Sequence, residues 1–78
     1  MSDIESEYRV LFSRANKEET LLVMVKAQVR KLNLMYDETL YSYRIAAESY
    51  RKFNRTRAVA LFMAAHERLN RLKEKGIC

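Results

Sequence analysis

Seventy-eight residues with one glycine, no proline and one cysteine suffice for one thin core, and they exclude two domains, a disulfide framework and a turn-rich β fold. An apolar share of 49% and an aromatic share of 10% exclude a solvated tail, because that much burial offsets chain entropy in a small core. The formal charge of +5, from 15 basic and 10 acidic side chains, favours encounter with anionic surfaces without deciding the fold.

A core of this size rarely leaves more than ~3–5 kcal/mol of net stability, so a homodimer, or folding against a partner, is an expectation. No apolar run approaches the ~20 residues needed to span a bilayer. Asp3, Glu5 and Glu7 stand where a signal peptide carries basic residues, and no apolar stretch follows them. A cytoplasmic protein without a membrane span is expected. Cys78 has no second cysteine to pair with, which fits a reducing compartment.

The pattern is all-α throughout, a small antiparallel bundle of three long helices behind a short N-terminal one, forming a single domain over 1–78. Ser2 and Glu5 have the spacing of a capping box. Ile4, Tyr8, Leu11 and Ala15 then recur at helical steps, predicting a short helix over about 3–14 that must dock, being too short to stand alone. Asn16 and Glu19 repeat the cap signature, and Glu18 and Glu19 suit the positive end of a helix. From there Leu22, Val25, Val29, Leu32, Tyr36, Thr39, Tyr43, Ala46, Tyr50 and Phe53 alternate by three and four.

Two structures satisfy that run. One is a continuous helix over 17–53, ~55 Å long at ~1.5 Å per residue, which would demand a partner along its seam. The other ends one helix at Asn33 and caps the next at Asp37, giving helices over about 17–33 and 37–53. The break is preferred, since a chain this short has little mass left to cover the long form. The stretch 36–53 then becomes an aromatic helix around which the rest is organised, burying Tyr36, Tyr43, Tyr50 and Phe53.

Asn54 or Thr56 can cap a last helix over about 56–75. Ala58, Phe62, Ala65, Leu69 and Leu72 form its buried stripe, and Lys73, Lys75 and Gly76 suit its C-terminal end. Val59, Leu61 and Met63 lie off that stripe and offer surplus apolar surface. The pairs Ala46-Ala47 and Ala64-Ala65 stand eighteen residues apart on consecutive helices, where small side chains let backbones approach closely.

Catalytic patterns are missing. No glycine-rich phosphate loop or nucleophile elbow occurs. His66 is the single histidine and reads as a groove or surface residue, so neither a metal site nor a cofactor is expected. Asp37 and Glu38 are adjacent and diverge on a helix, which suits capping better than acid–base work.

Lys26-Ala27, then Tyr36-Asp-Glu-Thr-Leu40, Tyr43, Ala46 and Glu48, with Arg68, Leu72 and Lys73 in the last helix, resemble a microtubule-interacting and trafficking (MIT) domain. They are more loosely similar to tetratricopeptide helix pairs. The likeness covers about 50 residues of the 78. Thr39 replaces the family's alanine, and the acidic first helix is additional. The resemblance implies a three-helix bundle whose grooves bind short helical or extended motifs of partner proteins, without catalysis. Tyr8, Arg14, Thr20-Leu21 and Leu32 are similar to the small Hha-type nucleoid-associated modulators, which implies a nucleic-acid-associated regulator.

The leading expectation is a non-enzymatic adaptor whose groove, lined by Tyr41, Val59, Leu61, Met63 and His66, takes an amphipathic helix or peptide motif of another protein. The alternative uses the basic stretch 44–57, where Arg44, Arg51, Lys52, Arg55 and Arg57 face Glu48 alone and aromatic residues are interleaved, as in single-strand nucleic-acid grooves. A small secretion or assembly chaperone that pairs with a helical partner is a third.

Overall fold

The computed structural model describes residues 3–75. The sequence readings at Ser2, Gly76 and Cys78 lie outside them. Four helices and no strand occur among the described residues: α1 (Asp3–Phe12), α2 (Glu18–Lys31), α3 (Tyr43–Arg51) and α4 (Thr56–Lys75).

The hub is α4. The helix pairs that pack are α3, α1 and α2, each against α4. Its sequence explains this role, because Ala58, Ala60, Leu61, Phe62, Ala64 and Ala65 are all buried. A helix apolar on several sides belongs in the middle of a bundle, and its alanines admit neighbours at close range. The apolar surplus read as a binding face therefore has a different cause. Leu61 is fully buried and drops out as a groove residue, while Val59 and Met63 are half-buried against the core. The organising element is thus α4 rather than the aromatic stretch 36–53.

Around this hub the other helices contribute Tyr8 and Phe12 from α1, Leu21, Val25 and Val29 from α2, and Tyr43, Ala46 and Ala47 from α3. Ala15, in the α1–α2 connection, is fully buried, and its carbonyl accepts bonds from Arg68 Nε at 3.2 Å and Nη2 at 2.9 Å. A guanidinium on α4 thereby holds that connection down. Asn16 does not cap α2. Lys17 holds the cap position in an extended conformation with no side-chain bond to the helix end.

Two asparagines end two helices in the same way. Asn33 and Asn54 both have φ of 56°, in the left-handed region that asparagine tolerates better than most residues. After α2, Leu34 N–H donates to Val29 O at 2.9 Å and Asn33 N–H to Arg30 O at 3.2 Å, the paired bonds of a Schellman closure. After α3, Arg55 N–H donates to Tyr50 O and Asn54 N–H to Arg51 O, both at 3.1 Å. Asn54 therefore closes α3 instead of opening α4, whose first helical bond runs from Val59 N–H to Arg55 O at 3.0 Å.

The break between the middle helices is wider than the sequence suggested. The helix expected over 37–53 begins only at Tyr43, and 34–42 form an irregular strap. The reason lies in two competing caps. Asp37 Oδ1 accepts from both the backbone N–H and the hydroxyl of Thr39, and its carbonyl accepts from Leu40 at 3.1 Å and Tyr41 at 3.0 Å, so one turn forms and stops. Ser42 then caps α3 by accepting from Ile45 N–H at 3.3 Å. The three-four rhythm runs through the strap because Tyr36 reaches the core from a loop. Leu40, which also stands at helical steps from Tyr36 and Tyr43, is 69% exposed.

Candidate functional site

Tyrosines fix the strap. The Tyr50 hydroxyl, projecting from α3, donates to Met35 O at 2.6 Å and accepts from Met35 N–H at 2.9 Å. The Tyr36 hydroxyl donates to Tyr41 O at 2.9 Å. Below them the rings form one cluster: Tyr36 lies against Tyr43 with centroids 5.9 Å apart and against Phe62 at 5.0 Å, and Tyr50 stacks on Phe62 at 5.8 Å. Phe62 on α4 is thus the platform on which strap and α3 meet, and contacts of this kind add to area burial.

Burial, followed by the nearby charges of Glu38 and Asp37, pushes the Tyr36 phenol up to about 12. Tyr43 is raised further, first by burial and then by Tyr36, Glu38 and Glu18. Asp37 is held below the usual carboxylate range by its bonds from Thr39.

Two hollows flank the strap, and Tyr36 and Tyr41 line both. The first, of about 410 Å³, lies between the strap and α3, with Met35, Tyr41, Ala46, Ser49, Tyr50 and Phe53 around it. Its surroundings are unusually apolar for a surface. Met35 is 86% exposed and Phe53 72%, and Leu40, Tyr41 and Ile45 on the same stretch of chain are also exposed. Phe53, expected in the core, is outside it because α3 ends at Arg51, two residues before it. The second hollow, of about 350 Å³, lies between the first turn of α2, the strap and α4, where Glu18, Glu19, Glu38, Leu22, Leu69 and His66 join the tyrosines.

The sequence-predicted groove residues therefore separate. Tyr41 and His66 come together in the second hollow. Val59, Leu61 and Met63 line neither. The sequence pattern places Phe53 in the core, and a methionine such as Met35 fits core and binding surface equally well; only the polar interruption that starts at Asn54 hints that Phe53 is left outside.

The basic residues separate too. Arg44 sits 3.8 Å from Glu48, and Arg57 donates to the Tyr8 hydroxyl at 3.5 Å. Arg51, Lys52 and Arg55 are exposed and have no carboxylate partner among the described residues, so Phe53 is flanked along the chain by positive charge. No family model, curated protein or solved structure matches the chain. Among the described residues no helix is long and apolar enough to cross a membrane.

Proposed function

We propose that the protein is a non-enzymatic interaction module whose hollow between the strap and α3 receives an apolar segment of another protein, with acidic residues at the end near Arg51, Lys52 and Arg55. The observation that carries this reading is that Met35, Tyr41 and Phe53, all exposed, line one concave surface, with Leu40 and Ile45 also exposed on the same stretch of chain. Apolar groups clustered on a surface mark interaction sites more often than singly scattered ones do. Recognition by a groove with a few apolar anchors and a charged rim is a recurrent mode of peptide binding. A groove expected along Val59, Leu61 and Met63 is replaced by this one.

The test is selection from a displayed random-peptide library, followed by titration of the enriched peptides. Apolar peptides with acidic flanks should emerge. Phe53→Asp and Met35→Asp should each weaken them at least ~10-fold, as expected for a central anchor. Arg51→Glu with Lys52→Glu should slow association and weaken the salt dependence of binding. Enriched peptides indifferent to Phe53 and Met35 would refute the groove.

The exposed aromatic Phe53 between Lys52 and Arg55 favours one second reading, contact with single-stranded nucleic acid. Short DNA at two salt concentrations separates the two: affinity that falls steeply with salt and is lost in Phe53→Ala supports it, and no binding at low salt removes it.

A further inference from the structure

We propose that the second hollow, between the first turn of α2, the strap and α4, receives one cationic side chain on an aliphatic stem, an arginine or lysine of the bound segment. The inference rests on the interaction reading above and names what the segment carries at the end away from Arg51. Glu18 and Glu19 by themselves say little, because carboxylates favour the first turn of any helix.

The independent observation is Tyr43. It is only 6% exposed, its ring is held against Tyr36, and among the described residues its hydroxyl has no hydrogen-bond partner. None of the described residues' fully buried side-chain polar atoms lacks a partner, so this hydroxyl reaches solvent, and Tyr43 is one of the residues that line the hollow. A tyrosine whose phenol oxygen can accept a further bond thus shares the wall of one cavity with the carboxylates of Glu18 and Glu19.

The wall chemistry selects the ligand. Leu22 and Leu69 suit the methylene groups of a long cationic side chain. Glu38 is occupied by Lys26 at 2.7 Å, and His66 faces Asn70 at 3.3 Å. Glu18 and Glu19 pair with no cation among the described residues. Both carboxylates and the phenol oxygen accept from N–H donors, and an anion would be repelled. The influence of Glu18 and Glu38 on the Tyr43 phenol places their charges within electrostatic reach of its hydroxyl.

The experiment titrates n-butylguanidinium and n-butylammonium into the full chain, with n-butanol and butyrate as controls, and follows NMR shifts at Leu22, Tyr43 and Leu69. A saturable shift from either cation and none from the controls is expected, the stronger cation assigning arginine or lysine. Glu18→Gln with Glu19→Gln should weaken binding ~10-fold, the loss typical of charge-assisted bonds. Tyr43→Phe, which keeps the ring, should weaken it ~3-fold with the helical spectrum unchanged. Equal shifts from butanol, no shift from either cation, or unaltered binding by the double variant overturns the proposal. Peptide binding that moves Met35 and Phe53 but never Leu22, Tyr43 and Leu69 overturns it too and leaves the interaction reading standing. Cation binding without any peptide binding does the reverse.

Discussion

At the level of single residues, the two asparagines and the tyrosine hydroxyls do work that their side-chain chemistry dictates. Asn33 and Asn54 each hold φ of 56°, which costs an ordinary L-residue ~1–2 kcal/mol. Asn33→Ala should therefore lower unfolding stability by about 1 kcal/mol in a denaturant titration, and Asn33→Gly should not. Equal losses for both would mean that the left-handed turn is not what the asparagine supplies. The phenols give a pH dependence with a definite sign. An unfolded tyrosine loses its proton near pH 10, whereas Tyr36 keeps it until about 12. The native chain thus binds more protons in that window, and stability is complete below pH 10 and falls as pH rises through about 12. Tyrosinate absorbance followed against pH should show a delayed component that unfolding abolishes. Titration of every phenol as a free tyrosine would contradict the cluster.

At the level of elements, the strap is the segment whose order depends on the fewest groups. Tyr50→Phe deletes both bonds to Met35 while leaving the ring on Phe62. Amide exchange at Met35 should accelerate ~5-fold or more, as expected from the loss of about 1 kcal/mol, with α1 and α2 unchanged. Unaltered exchange there would mean that Tyr50 does not hold the strap. Sequence reading found α4 from its periodicity and the end of α2 from Asn33, whose left-handed conformation closes the helix, but the cap it gave to Asn16 is not formed. It misplaced the start of α3 because Tyr36, Leu40 and Tyr43 keep helical spacing across a stretch where Asp37 and Ser42 each impose a local turn. Periodicity records which side chains go inward, and a loop can send Tyr36 inward as well as a helix can.

For the molecule as a whole, the consequence is a bundle built on α4 instead of on the aromatic stretch. Phe62 is fully buried and carries both Tyr36 and Tyr50. Phe62→Ala should cost about 3–5 kcal/mol, comparable to the whole stability of so small a core, and should leave the chain largely unfolded by circular dichroism. The candidate groove was only partly legible in the sequence. Tyr41 and His66 do line a common hollow, but an apolar run on α4 looks the same whether other helices cover it or a partner does. Only the packing decides, and it hides Leu61 while exposing Met35 and Phe53.

The most direct test of the central claim is amide hydrogen exchange of the full chain with and without a library-selected apolar, acidic peptide. Protection should rise over the strap, 34–42, and over 50–53, and that rise should vanish in Phe53→Asp. Protection appearing instead along the helix that carries Val59 and Met63, or the same protection in Phe53→Asp, would contradict the account.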